Sequence, residues 1–318
     1  NLMKVFRHLS RKVRQQTAGS VLAIGIFDGF HRGHQKIIKK VKTVASSSGV
    51  AAGVLSFYPH PEKSLNGRSI KMIQTLEQRL QSFEQAGLDF CLLLDLDDGL
   101  SRLSGEAFAR HIIKDSLGVQ QVVVGSNFRF GYRRQCGVSD LERFGRLFGF
   151  KVTILEPATS GGRPISSSLI RKLLEGGRIE EANKLLGHPY EIRGRVVSGD
   201  RLGQRLGFPT INLKTENEIA PPGVFITLTE LNGKTFPSVA NIGVRPTVGG
   251  AVSRVESHLL DVTLRVYRQK ASLFLLKKIR EEKRFDSLQA LKEAITRDIN
   301  LARKFFKVRA GQLGLKDR

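Results

Sequence analysis

The pattern of apolar and polar positions divides the chain into two parts. In the first, short apolar runs at residues 21–24, 50–57, 89–95, 119–124 and 150–155 predict buried strands. Between them lie stretches of helical period. Residues 35–46 carry Ile37, Ile38, Val41 and Val44 on one face, and residues 75–86, 104–117 and 138–148 predict further helices. Thr75 and Gln78 have the spacing of a capping box, and Gly87 follows as a stop. Strands alternating with helices predict a mostly parallel sheet covered on both faces, with ligands beyond the carboxyl ends of its strands. Residues 1–20 read as an N-terminal arm.

Two short helices, 167–175 and 179–186, close this part. The pattern then changes to short β-runs at 191–197, 223–231, 236–242, 255–262 and 272–279, punctuated by Gly and Pro, with an Asn232-Gly233 hairpin signal. This predicts a small antiparallel barrel. A helix over 287–306 places Leu288, Leu291, Ile295, Ile299, Ala302 and Phe306 on one face, which reads as core packing. The expected domains are 1–186 (α/β) and 187–318 (β-barrel with a terminal helix).

With 318 residues, 40% of them apolar, the chain can form two real cores. No apolar run approaches the ~20 residues of a membrane span. Cys91 and Cys136 lack metal-type spacing, which points to a reducing, cytoplasmic setting. The net charge of +23 raises nucleic acid as a partner. The cations are spread along the whole chain, however, with no basic tail and no interleaved aromatics. Holding polyanionic nucleotides explains the bias as well, so no dedicated nucleic-acid interface is expected.

The sharpest chemical signal is Gly25-Ile26-Phe27-Asp28-Gly29-Phe30-His31-Arg32-Gly33-His34, set where a predicted strand feeds a helix. The first helical N–H groups are unpaired there and the dipole is positive, so the junction suits an anion. Two imidazoles three residues apart can face one phosphate, and the glycines allow close approach. Such donor-rich groups are what nucleotidyl transfer requires around an α-phosphate under attack. Four other stretches carry chemistry. Phe57-Tyr58-Pro59-His60-Pro61 follows a strand and reads most simply as a structural loop. Ser166, Ser167 and Ser168 open a helix with Arg171 one turn in, which suits capping or phosphate contact equally. Residues 199–212 form a Gly-rich loop, including Gly203, whose Thr210 and Asn212 alternate onto one strand face and offer oxygen ligands suited to Mg²⁺ with a nucleotide. Glu256 and His258 share a strand face and fit a base and its support, as well as an ordinary solvated strand.

Together these motifs closely resemble the bacterial bifunctional riboflavin kinase/FAD synthetase family, from about Val21 to Phe306. The resemblance implies a nucleotidyltransferase domain of the His-x-Gly-His type followed by a riboflavin kinase barrel. It implies phosphorylation of riboflavin to FMN and adenylylation of FMN to FAD, with ATP as co-substrate and Mg²⁺ as cofactor. His31 and His34 would act on the ATP phosphates, with Gly25, Phe27, Asp28, Gly33, Ser166, Ser167, Ser168 and Arg171 binding ATP. Phe57, Pro59 and Asn127 would lie along the flavin. In the barrel, Gly203, Thr210 and Asn212 would hold ATP, the latter two with Mg²⁺. Glu256 would be the general base, and Arg280 would lie near the flavin. The expected partners are riboflavin, FMN and ATP, with self-association allowed and no membrane. Gln204, Ile211 and Val266-Tyr267-Arg268 depart from the family pattern. Gln204 stands where Arg is frequent, and an extended loop would turn its neighbour Arg205 to the opposite side. The alternatives are an adenylyltransferase with a weak or lost kinase, and a basic nucleic-acid-binding protein on the same scaffold.

Overall fold

The structure is a computed structural model and describes residues 2–60, 70–95, 97–199, 202–247, 250–262, 264 and 266–309. Pro61, Asp200 and Arg201 of the motifs above lie outside the described residues. The chain divides into two compact units, Asn1–Ser167 and Ser168–Arg318.

The first unit is built on strands β1 (Lys4–Phe6), β2 (Val21–Ile24), β3 (Ala52–Phe57), β4 (Phe90–Leu94), β5 (Gln121–Gly125) and β6 (Lys151–Leu155). They form one sheet in the order β1-β4-β3-β2-β5-β6, with every pairing parallel. Four of its helices are α1 (Arg11–Thr17), α2 (Arg32–Ser47), α3 (Leu76–Gln85) and α4 (Val138–Phe148). Alternate strand residues point to opposite faces. Leu22, Ile24, Leu55, Leu92, Val122 and Val124 pack with Ile113, Leu117, Leu141 and Phe144. Val21, Ala23, Val54, Cys91, Leu93 and Val123 pack with Ile38, Val41 and Phe83. Both faces are covered, which is why the strands read as unbroken apolar runs rather than alternating ones. From β2 the chain moves to β3 and β4 on one side and to β5 and β6 on the other. The crevice between the ends of β2 and β5 is therefore a topological switch point, where such sheets bind ligands.

Two differences from expectation lie in this unit. The N-terminal arm is structured: Lys4–Phe6 pairs with β4, and Ser10 Oγ accepts from the Val13 N–H to cap α1. A three-residue edge strand with two exposed positions carries almost no apolar signal. The helix expected over 104–117 begins at Gly105–Ala107, capped by Ser104, and widens to π winding over Phe108–Leu117.

The second unit opens with α5 (Ser167–Glu175), whose first residue belongs to the first unit, and α6 (Ile179–Leu186). Strands β7 (Tyr190–Val197), β8 (Ile211–Thr215), β9 (Gly223–Leu231), β10 (Lys234–Thr247), β11 (Gly250–Leu259) and β12 (Lys270–Arg280) then close a barrel in the order β8-β11-β10-β9-β12-β7. Asn232 (φ +50°) and Gly233 (φ +72°) make the two-residue turn between β9 and β10. Inside the barrel, Thr227, Thr229, Ser238 and Ser257 are fully buried. Their hydroxyls join at 2.8–2.9 Å. On the outside, the terminal helix α7 (Leu288–Arg309) lays Ile299, Ala302 and Phe306 against Val224, Ile226, Val239 and Leu260. Leu288, expected on that face, is 62% exposed, because the first turn of α7 precedes the packed stretch.

The expected boundary at 186/187 and the unit boundary at 167/168 differ by the pair α5–α6. Asn183 of α6 donates to the Leu275 carbonyl of β12 and accepts from the Tyr190 N–H of β7, both at 2.8 Å. Those bonds tie the pair to the barrel.

Both cysteines are free thiols. Burial pushes the Cys91 thiol up to about 12 and raises that of Cys136 as well. Since the thiolate is the reactive form, native protein treated with a thiol-specific disulfide reagent should give a slow signal from Cys136 and none from Cys91 until denaturant is added. A fast burst from both thiols would contradict the burial.

Candidate active sites

The first site is assembled at the carboxyl end of β2. His31 is the N-cap residue of α2 and makes no side-chain cap bond. It is 5% exposed and stacks on His34, with centroids 3.5 Å apart and planes 21° apart. Phe27 meets His34 edge-on at 5.1 Å. Gly33 makes the stack feasible: a Cβ there would stand 3.1 Å from His31 Cε1. The preceding turn is strained, with Phe27 at φ +58° and Phe30 at φ +39°. Left-handed conformations cost non-glycine residues roughly 1–2 kcal/mol each.

Several anchors hold this turn. The buried carboxylate of Asp28 accepts from the backbone N–H groups of Ile73 (3.1 Å) and Gln74 (3.2 Å), just ahead of α3. Gly29 (φ +81°) passes so close to Ile73 that a Cβ would meet its Cδ1 at 2.9 Å. Arg79 of α3 donates to the Ile26 carbonyl at 3.1 Å and the Phe57 carbonyl at 3.0 Å. Ser56 Oγ also donates to Ile26, and Gln35 Nε2 donates to the Phe30 carbonyl at 2.8 Å. Ser167 Oγ donates to the Asp28 carbonyl at 3.0 Å, which commits its only proton. Asp28 thus faces the α3 lead-in, and its side chain shapes the turn.

Asn127 follows β5 and is exposed. Its Oδ1 would lie 3.0 Å from a Cβ on Gly125. Phe57 is half-buried at the end of β3, and exposed Pro59 follows it across a cis Tyr58–Pro59 peptide. The structure therefore gathers Gly25, Phe27, Asp28, His31, Gly33, His34, Phe57, Asn127 and Ser167 at one end of the sheet. Ser166 is exposed, while Ser168 and Arg171 belong to the second unit. Arg79 and Phe83 were not singled out in the sequence. The only signal was an arginine on the apolar side of an amphipathic helix.

The second site lies on the outer face of the barrel. Register aligns Asn212 of β8 with Glu256 of β11, and Glu256 with Asn241 of β10. Gly199 passes so close that a Cβ would collide with the Asn212 amide, and a Cβ on Gly203 would stand 3.2 Å from Thr210 Oγ1. Gly199, Gly203, Thr210, Asn212 and Glu256 therefore converge. His258 does not support Glu256 as expected. Its Nδ1 lies 2.8 Å from the Pro209 carbonyl and so carries the proton, fixing the loop that presents Thr210. Glu256 Oε1 instead accepts from Arg254 at 2.7 Å. Arg280 is committed to Asp298 of α7, donating from Nε and Nη2 at 3.0 and 2.9 Å, and it lies over the Phe285 ring. Among the described residues no group of three His, Cys, Asp or Glu is placed to hold a metal.

The FAD synthetase family matches residues 13–169, and the riboflavin kinase family matches residues 186–306. The bifunctional riboflavin kinase/FMN adenylyltransferase of Escherichia coli (strain K12) is 36% identical over 307 residues, covering 96% of this chain and 98% of that protein. The chain belongs to the bifunctional riboflavin kinase/FMN adenylyltransferase family. The Pseudomonas fluorescens member is 36% identical over 303 residues, covering 95% and 97% of the two chains. The solved structure of a macrolide-efflux protein from Streptococcus pneumoniae superposes with a TM-score of 0.87 at 26% identity, covering 95% of this chain and 99% of that one.

The departures from this family have physical readings. Gln204 and Arg205 lie in a helical turn, Leu202–Arg205, rather than the extended loop expected, so they do not face opposite sides. Arg268 sits at φ +64° in an exposed turn whose N–H donates to the Val196 carbonyl, a conformation that suits glycine. Ile211 is buried in the barrel wall.

Gly33→Ala should displace the His31 ring by a few tenths of an ångström. FAD formation from FMN should fall at least about tenfold, because small misplacements are costly in transfer reactions, with riboflavin phosphorylation unchanged. Wild-type FAD formation in this variant would show that the stacked arrangement does not matter.

Proposed function

We propose that the chain makes FMN from riboflavin and ATP in its second unit and FAD from FMN and ATP in its first. The observation that carries this is the stacked His31–His34 pair at the positive end of α2, set at the switch point of a parallel sheet.

In adenylyl transfer, an oxygen of the FMN phosphate bonds to the ATP α-phosphorus. The bond from that phosphorus to the bridging oxygen breaks, and its electron pair leaves with pyrophosphate. The FMN phosphate is already anionic, so no strong base is required. His31 and His34 bind the phosphate oxygens on which charge builds, aided by the positive N-terminal end of α2. A donor of that kind is worth ~2.7–4 kcal/mol. Gly25, Phe27 and Gly33 shape the ATP side, and Asp28 acts through the turn it anchors. Ser166, Ser168 and Arg171 bind the triphosphate, and Ser167 locks Asp28. Phe57, Pro59 and Asn127 line the flavin side.

In the kinase, Glu256 accepts the proton of the terminal ribityl hydroxyl through Oε2, while Arg254 holds Oε1. The hydroxyl oxygen bonds to the γ-phosphorus, and ADP leaves with the electron pair. Thr210 and Asn212 are neutral oxygen donors cradled by Gly203 and Gly199, a set that fits Mg²⁺ shared with nucleotide phosphates. That ion, when bound, supplies charge neutralisation. Arg280 borders the flavin as part of the α7 anchor. We expect these reactions to run in the cytoplasm, and we expect no dedicated nucleic-acid interface.

Incubation with riboflavin, Mg²⁺ and ATP, followed by separation of flavins, should yield both FMN and FAD. FAD from supplied FMN alone would favour an adenylyltransferase with a lost kinase. His31→Ala with His34→Ala should abolish FAD formation and spare phosphorylation. Glu256→Gln should do the reverse, slowing the kinase ~10²–10⁴-fold; a loss below about tenfold would make Glu256 merely supportive.

We place the activity boundary at 186/187. Fragment 1–186 should adenylylate FMN and fragment 187–318 should phosphorylate riboflavin. Fragment 168–318 should melt higher than 187–318, because it keeps the Asn183 bonds; reversed activities would overturn the assignment. Gln204→Arg should lower the apparent KM for ATP in riboflavin phosphorylation. An unchanged KM alongside a strong rise in Arg205→Ala would show that Arg205 already serves there.

A further inference from the structure

Arg79 is among the largest fully buried side chains of the described residues, at 1% exposure. A cation at that depth is unfavourable: desolvation lowers its pKa, opposed chiefly by the nearby charge of Asp28. Its position accounts for its presence. Nη1 donates to Ile26, in the turn that carries the histidines, and Nη2 donates to Phe57, at the end of β3 on the expected flavin side. One planar group thereby spans the two halves of a bisubstrate site. Phe83, one helical turn further along α3, stands edge-on to Phe27 at 5.9 Å, and Phe27 stands edge-on to His34 at 5.1 Å. The helix thus reaches the histidine pair by a second route. Ile26 has another donor in Ser56 Oγ, so its carbonyl is not orphaned if Arg79 is lost. The bridge to Phe57 is what disappears.

We infer that Arg79 is a positioning residue for adenylyl transfer, its guanidinium setting the spacing between the histidine turn and the end of β3. This rests on reading the first unit as the FMN adenylyltransferase. The spacing governs how the FMN phosphate lines up with the ATP α-phosphorus and not how tightly either substrate binds. Loss of the bridge therefore appears in kcat. A lysine keeps the charge and much of the volume, but its ammonium is a point donor and lacks the fixed two-armed fork.

The test uses the full chain as wild type, Arg79→Lys and Arg79→Met. FAD formation, riboflavin phosphorylation and thermal melting are measured on the same preparations. Arg79→Met should lose about 10²-fold in kcat for FAD formation, with KM for ATP and FMN within about threefold. Phosphorylation should stay within about twofold, and Arg79→Lys should fall between Met and wild type. A folded Arg79→Met with wild-type kcat, or a loss carried by KM alone, would overturn the inference. If Arg79→Met does not fold, Arg79→Lys decides: a reduced kcat at unchanged KM supports the inference, and wild-type kcat overturns it. A wild-type chain that makes no FAD would instead overturn the reading of the first unit.

Discussion

Two backbone amides ahead of α3, those of Ile73 and Gln74, bind the buried carboxylate of Asp28, and the histidine turn depends on that contact. The turn holds two non-glycine residues in left-handed conformations, a strain of roughly 2–4 kcal/mol for the pair. Hydrogen bonds to a charged group contribute about 1.5–3 kcal/mol each. The Asp28 pair alone therefore offsets the strain, and Arg79 and Gln35 add to the margin. Without such anchors the turn would relax, and His31 and His34 would lose the shared orientation that makes them a pair. The strain is thus confined to the segment that faces the crevice, and the restoring contacts come from the lead-in to α3, from Arg79 of α3 and from Gln35 of α2.

The barrel solves a similar problem by register. Asn212, Glu256 and Asn241 stand opposite one another on neighbouring strands, in a register where a one-residue slip would move every inner residue outward. Ile242, Val255 and Leu213, their neighbours along the strands, are buried. Packing of the interior thus sets the spacing of polar groups on the outside. The loop that delivers Thr210 is held separately, by His258 on the Pro209 carbonyl.

Much of this was legible in the chain. Runs covered on both faces announced the parallel strands, and the period change near Gly187 announced the barrel. The His-x-Gly-His element reads directly because it is local: ten consecutive residues form the turn and the helix start. What escaped was long-range. Arg79 contacts a carbonyl 53 residues away, and the partner carries no side-chain signature, since any residue offers a carbonyl. The pairing of Glu256 with Arg254 rather than His258 was hidden because all three share one strand face, and only the position of Pro209 decides between them. β1 escaped because a short edge strand is specified by its neighbour β4 more than by its own residues.

The buried hydroxyls of the barrel have a fixed polarity. Ser238 gives its one proton to the Thr227 carbonyl at 3.0 Å. It must therefore receive at its oxygen the protons of both Thr227 and Thr229. Thr229, having spent its proton, must receive that of Ser257. Each O–H thus has a single assignment, and the chain runs one way, from β11 through β9 to β10, ending on a backbone carbonyl of β9. Three strands are joined by a vector that cannot reverse without stranding a proton. A valine in place of Thr227 would remove one incoming bond at little change in shape, whereas an alanine at Ser238 would strand the Thr227 proton and leave Thr229 and Ser257 with two protons for the single bond between them.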